Sequence, residues 1–141
     1  MAAARREREI REAIRAADVA LDHLEAAADQ IDRANGWGIA DILGGGLIST
    51  FMKHRRMDDA SDELEAARDA VRAFARELRD VGGSFDVDLD VGGFLGFADY
   101  FFDGFVADWL VQRKIEEAKD QVEQAAREIV AIRRQLVRAL R

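Results

Sequence analysis

Four side chains in the middle of the chain belong to the types that bind metals or transfer protons: Asp41, His54, Asp99 and Asp103. Asp99 and Asp103 are four residues apart and share a face if their segment is helical. Carboxylates and imidazole serve both as metal ligands and as general acids and bases. A fold that gathered all four would form a small metal-binding, ligand-binding or acid–base site, which is one hypothesis for this chain.

The other patterns that could carry chemistry are incomplete. Asp86, Asp88 and Asp90 alternate as at the start of a calcium loop, but the glycine comes one place late and Phe97 replaces the final glutamate. The glycines at 44–46 lack the strand before, and the Gly-Lys-Ser/Thr ending of, a phosphate-binding loop. We therefore predict no catalytic residue, no cofactor and no bound metal.

Composition narrows the class of protein. The 141 residues carry a formal net charge of −7, which argues against nucleic-acid binding because that needs a basic surface. The chain has no cysteine and no proline, so it forms no disulfide, and proline interrupts none of its helices. No run of about 20 apolar residues exists, so we expect no membrane-spanning helix and a cytoplasmic protein.

Hydrophobic periodicity predicts three long amphipathic helices, because apolar residues recur at alternating spacings of three and four. The first stripe is Ile10, Ile14, Ala17, Leu21, Leu24, Ala28 and Ile31. The middle stripe is Ala60, Leu64, Ala67, Val71, Phe74, Leu78 and Val81. The last stripe is Ile115, Ala118, Val122, Ala125, Ile129, Ile132, Leu136 and Ala139.

Local signals suggest where these helices begin and end. The first should run from about residue 3 to 35, because Gly36 follows Asn35 in a turn signal. Asp58 or Asp59 can cap the middle helix at its start, and the glycines at 82–83 can end it.

We predict an all-α fold in a single domain covering residues 1–141. Residues 1–35 and 107–141 would pair antiparallel as a coiled-coil stalk or an elongated helical bundle. Residues 36–106 would form a small helical head together with the middle helix. The last helix is basic and the other two are acidic, which favours their contact.

An aromatic segment and a glycine segment depart from the heptad pattern. Five aromatic residues recur at three or four and form one helix face, which predicts the core of the head: Phe94, Phe97, Phe101, Phe105 and Trp109. Trp37, Phe51 and Phe74 could meet this face. The alternative is a patch that binds a partner or a membrane surface. The candidate interaction residues are Trp37, Lys53, Arg55, Arg56, Phe102 and Trp109.

Residues 36–54 read Gly-Trp-Gly-Ile-Ala-Asp-Ile-Leu-Gly-Gly-Gly-Leu-Ile-Ser-Thr-Phe-Met-Lys-His. A second block, residues 97–104, reads Phe-Ala-Asp-Tyr-Phe-Phe-Asp-Gly and is followed by Ala-Asp-Trp at 107–109. Together they resemble the signature of an uncharacterised family of bacterial helical proteins. The resemblance implies a natural helical head between coiled-coil arms, and it implies no activity and no catalytic residue.

The sequence therefore favours a non-catalytic scaffold or protein-interaction module, acting on a protein partner or by self-association into a homo-oligomer. One alternative is a peripheral membrane protein that uses the glycine and aromatic segments and the basic run 53–56 against anionic lipid. The other alternative is the small-ligand or metal-binding head described first.

Overall fold

A computed structural model of the chain describes the backbone of residues 2–44, 47–84, 91–101, 104, 106–112 and 115–140. Side chains are described over 3–33, 58–81, 92–101, 104, 106–109 and 116–140. The five helices are α1 (Ala2–Gly44), α2 (Leu47–Ser84), α3 (Val91–Tyr100), α4 (Val106–Gln112) and α5 (Ile115–Ala139). The described part of the chain contains no strand, which confirms the all-α class. The calcium-like pattern at 86–90, and the extended loop expected there, lie outside the described residues.

The first two helices are longer than their end signals predicted. Helix α1 continues through Gly36 and ends at Gly44, and α2 begins at Leu47 and passes through Asp58 and Asp59. The predicted helix end at Gly36 and the predicted caps at Asp58 and Asp59 are therefore wrong. A single glycine costs a helix only about 1 kcal/mol relative to alanine, and no proline is present to stop either helix.

Helices α1 and α2 pack along each other in opposite directions. His23 Nδ1 of α1 lies 3.9 Å from Glu63 Oε2 of α2. Nearer the start of α1, Glu9 lies beside Glu77 of α2. As the residue number rises along α1 it falls along α2, which is the order of contacts in antiparallel helices. The middle helix therefore joins the bundle.

Helix α5 packs on another side of α1, also with contacts in antiparallel order. Arg133 Nε lies 2.7 Å from Asp18 Oδ1, and Lys119 Nζ lies 3.1 Å from Asp32 Oδ1. Both bonds join a base on α5 to an acid on α1, in keeping with the charges of these helices in the sequence.

Helices α3 and α4 lie against α2. The ring of Phe94 meets that of Phe74 edge to face, with centroids 5.3 Å apart. Farther along, Trp109 Nε1 donates a hydrogen bond to Ser61 Oγ at 2.9 Å. Helix α3 also contacts α5. The neighbours are thus α1 with α2, α2 with α3 and α4, α3 with α5, and α5 with α1, as in an up-down-up-down four-helix bundle. The described part of the predicted head, α3 and α4, lies lengthwise in this bundle.

One hydrophobic core runs through the bundle. Every residue of the predicted middle stripe is buried, and so are the described residues of the last stripe except the half-buried Ala139. In α1 the fully buried residues are Ile10, Ala13, Ala17, Ala20, Leu24, Ala27 and Ile31. The predicted positions Ile14, Leu21 and Ala28 are only half-buried. Helix α1 faces two neighbours, so its buried face is wider than a single seam.

Candidate interaction surface

The structure does not bring the four candidate chemical residues together. Asp99 is exposed on α3. Asp41 lies on α1 and His54 on α2, but both side chains are outside the described residues, and so is all of Asp103. Nothing in the described part of the chain joins Asp99 to a metal-binding or acid–base group.

Trp109 belongs to the core. Its side chain is 2% exposed, and its indole N–H is bonded to Ser61, which is itself buried. A buried indole N–H needs such an acceptor, so this bond allows the ring to sit inside the bundle. In this conformation Trp109 offers no surface to a partner, contrary to its selection as an interaction candidate.

The other interaction candidates lie outside the described side chains. Trp37 is on α1, and Lys53, Arg55 and Arg56 are on α2. Phe102 falls between α3 and α4, outside the described residues.

The described aromatic side chains of this segment lie mainly in the core. Phe94 and Phe101 are fully buried, whereas Phe97 is half-buried with its ring 6.2 Å from that of Phe101. Phe74 meets this face as predicted, and Trp37, Phe51 and Phe105 have no described side chains. The exposed aromatic of α3 is Tyr100, at 51%. No described helix combines the length and the apolar composition needed to cross a bilayer.

Three glutamates gather where α1 meets α2. Carboxylate oxygens of Glu9, Glu12 and Glu77 lie within 4.8 Å of one another, and all three residues are half-buried. Burial raises the pKa of Glu77, and the negative charges of Glu12, Asp80 and Glu9 raise it further. Three carboxylates are suitable ligands for a hard divalent cation, but no second feature at this position indicates a ligand.

Sequence reasoning missed this cluster. Glu77 is 65 residues from Glu12, and only the register between the two antiparallel helices brings them together. All three glutamates lie at the edges of the apolar stripes, where side chains are half-buried. That position would have predicted the cluster only if the register between the two helices had been known.

Polar bonds connect α1 and α5 along their length. Besides the two ion pairs, Arg6 Nη1 donates a hydrogen bond to the carbonyl oxygen of Ala139 at 3.0 Å. The hydrogen bond and charge of Asp32 raise the pKa of Lys119. The ion pairs are largely exposed, so they contribute more to register than to stability.

Two glutamine amides break the apolar character of this interface. Oε1 of Gln30 and Oε1 of Gln121 are buried and accept no hydrogen bond from the part of the chain that the structure describes. The register set by the pairs 18–133 and 32–119 places these two residues at the same level. A buried acceptor without a donor is destabilising, so this level is a weak layer between α1 and α5.

The face of α1 opposite the core carries an ordered pattern of charge. We call six exposed residues the outer stripe: Arg8, Arg11, Arg15, Val19, Asp22 and Asp29. They recur at spacings of three, four or seven and so follow one side of the helix. From Arg8 to Asp29 the stripe is basic before Val19 and acidic after it; the exposed Arg33, four residues farther along the same face, is paired with Asp29 at 3.1 Å.

Each half of the outer stripe borders a shallow surface depression. The basic depression is lined by Ala4, Glu7, Arg8, Arg11 and Arg15. The acidic depression is lined by Asp22, Glu25, Ala26, Ala28, Asp29 and Asp32. Val19 lies between them and is 51% exposed.

The same segregation of charge extends to α2. Residues 3–15 and 71–81, at one end of the α1–α2 pair, contain eight arginines and five acids. Residues 16–33 and 58–70 contain two arginines and eleven acids. Over these ranges the pair therefore has a basic end next to a strongly acidic region, a distribution that orients charged partners.

Comparisons of the chain with protein-family models, with curated proteins and with solved structures gave no match.

Proposed function

We propose that this protein is a non-catalytic helical scaffold or protein-interaction module that acts in the cytoplasm through the charged outer faces of its bundle. The observation that carries the proposal is the charge segregation along the α1–α2 pair, where a basic end adjoins a strongly acidic region. Separated patches of opposite sign orient a partner and accelerate its approach, whereas bundle stability does not require them.

The buried face of the bundle supports the same proposal. The described core is apolar from Ile10 to Leu136, and Ser61, its buried polar residue, is bonded to Trp109. Among the described residues the interior is thus filled by packed side chains. The outer faces are therefore the surfaces that can bind a partner.

A capture experiment tests this function. The full chain is immobilised as bait beside a variant with four exposed arginines reversed: Arg8→Glu, Arg15→Glu, Arg76→Glu and Arg79→Glu. Matching circular dichroism and melting temperature establish that the variant is folded. We expect specific proteins to be enriched on the wild-type bait over the variant and to be released by salt, since charge complementarity is screened.

The proposal is contradicted if the wild-type bait enriches no other protein over the variant. The metal-binding alternative is tested in parallel by titrating the purified chain with Mg²⁺, Ca²⁺ and Zn²⁺. Submillimolar binding that is lost on replacing Asp99 or Asp103 by asparagine would favour that alternative instead.

A further inference from the structure

We propose that a second copy of this chain docks on the outer stripe of α1, in an antiparallel, two-fold symmetric dimer centred beside Val19. This proposal rests on the function proposed above, because it assigns one partner to one of the outer faces. It follows from the positions of charges along α1 and from the exposure of one aliphatic side chain.

The outer stripe is complementary to a reversed copy of itself. When two α1 helices run antiparallel with the axis between positions 18 and 19, facing residue numbers add to 37. Arg8 then faces Asp29 of the second copy, and Arg15 faces its Asp22. Two-fold symmetry repeats each contact, so four pairs of opposite charge form across the interface.

Arg15 and Asp22 are free for this contact, whereas Asp18, directly beside the axis, is held by Arg133 of α5 at 2.7 Å. Arg15 and Asp22 are exposed, and neither makes an ion pair within the described part of the chain. They are seven residues apart on one helix, too far apart along it to be i,i+4 neighbours. The contact between 15 and 22 is therefore available only between two molecules.

Val19 explains why the axis lies at this position. It is 51% exposed and stands at the change of sign, so it meets its own symmetry mate at the centre of the interface. The two depressions flank it, and each receives the oppositely charged half of the other helix. An apolar centre with a charged surround is the usual anatomy of a protein interface.

The outer faces of α2 and α5 fit this mode of association less well. Charge also changes sign along them, but the residue at the change of sign in α2 is charged, namely Asp69. In α5 the residue at the change in the sign of the charge is Arg127. Neither position carries an exposed aliphatic residue.

Charge exchange at positions 15 and 22 tests the dimer. The purified full chain is examined by sedimentation equilibrium from ~5 to ~500 µM, a range suited to weak association. We expect a monomer–dimer equilibrium for the wild type. Arg15→Asp alone and Asp22→Arg alone each place like charges in contact twice, and each should raise the dissociation constant about tenfold.

Restoring complementarity should restore the dimer in two ways. The double variant Arg15→Asp/Asp22→Arg should dimerise as the wild type does. An equimolar mixture of the two single variants should form a heterodimer, because the introduced aspartate of one chain then faces the introduced arginine of the other. In a parallel arrangement the wild type already places like charges together, so neither single variant would weaken the dimer.

Matched variants on α2, Asp62→Arg and Arg79→Asp, serve as controls and should leave the dissociation constant unchanged. A wild-type monomer at all concentrations overturns the proposal. So does a dimer that is insensitive to positions 15 and 22, or one that is lost in the α2 controls. A monomeric chain that still captures another protein overturns the dimer and leaves the proposed function standing. A chain that dimerises as predicted but captures no other protein supports the dimer and contradicts the proposed function.

Discussion

At the scale of single residues, Glu77 is an acid that the fold makes harder to ionise. Its raised pKa arises from burial and from the neighbouring carboxylates Glu12, Asp80 and Glu9. A group with a raised pKa binds its proton more tightly in the folded state. The resulting stability is therefore fully present below the unfolded pKa, near 4.3, and is lost as pH rises through the folded pKa.

Glu77→Gln should consequently stabilise the protein at pH 7, because the amide resembles the protonated acid. We expect about 0.5 kcal/mol, comparable to the relief of a like-charge pair, or about 1 to 3 °C in melting temperature. The gain should disappear at a pH below the unfolded pKa, where the wild type is also protonated. Glu123→Gln, which removes a charge four residues after Lys119, should give no gain at either pH.

Ser61 and Trp109 form the second feature at this scale. Ser61→Ala leaves the buried indole N–H of Trp109 without this acceptor and should cost about 1 to 2 kcal/mol in the free energy of unfolding. Urea denaturation measures the loss. In the background of Trp109→Phe, which has no N–H, the same serine substitution should cost clearly less; equal costs in both backgrounds would show that the bond contributes nothing.

At the scale of helices, the level shared by Gln30 and Gln121 is a weak layer between α1 and α5. Replacing both by leucine removes two buried oxygens that have no donor and adds apolar contact. We expect the double variant to be about 1 to 3 kcal/mol more stable, because apolar replacement of both partners avoids the cost of an unsatisfied acceptor.

Each single leucine variant leaves one of the two oxygens buried and should recover less than half of the gain. Thermal melts of the four proteins give the coupling between the two positions. A double variant no more stable than the wild type would show that both amides are satisfied in solution.

The helices also show what the sequence could and could not predict. The seam positions of α2 were correct at every residue, because that helix has an uninterrupted stripe; among its described residues, Ser61 and Ala75 are also buried and widen it. In α1 only Ile10, Ala17, Leu24 and Ile31 were correctly placed in the fully buried set. The periodicity could not tell that Ala13, Ala20 and Ala27 turn inward, since alanine is common on both faces of a helix.

Helix ends and sites were harder to predict for a physical reason. Gly36 was interpreted as a helix end, but a glycine only weakens a helix, and packing decides whether the helix continues. The glutamate cluster and the glutamine layer depend on which residues of distant helices share a level. Register is a property of the packed bundle, so a pattern within one helix does not reveal it.

At the scale of the whole molecule, the outer stripe gives a prediction independent of charge exchange. The chain has no cysteine, so Val19→Cys introduces a single thiol beside the proposed dimer axis. Disulfides form when the Cβ atoms approach to about 3.8 Å, which the antiparallel dimer allows at this position.

Mild oxidation should therefore give a covalent dimer of Val19→Cys on a non-reducing gel. Its yield should fall as NaCl rises from about 50 to about 500 mM, because the flanking ion pairs are screened. Asp69→Cys, exposed on α2, is the matched control and should cross-link far less. Equal yields from the two variants would indicate random collision.

The bond from Arg6 to the carbonyl of Ala139 has a mechanical consequence. It joins positions 133 residues apart at one end of two antiparallel helices. Tension applied through these two residues acts across the α1–α5 interface rather than along it, so the helices peel apart one level at a time, starting at this bond. Force directed along the helix axes must instead slide many contacts at once. The bundle is thus soft in one direction and stiff in another, and a tether at these residues would release at low load.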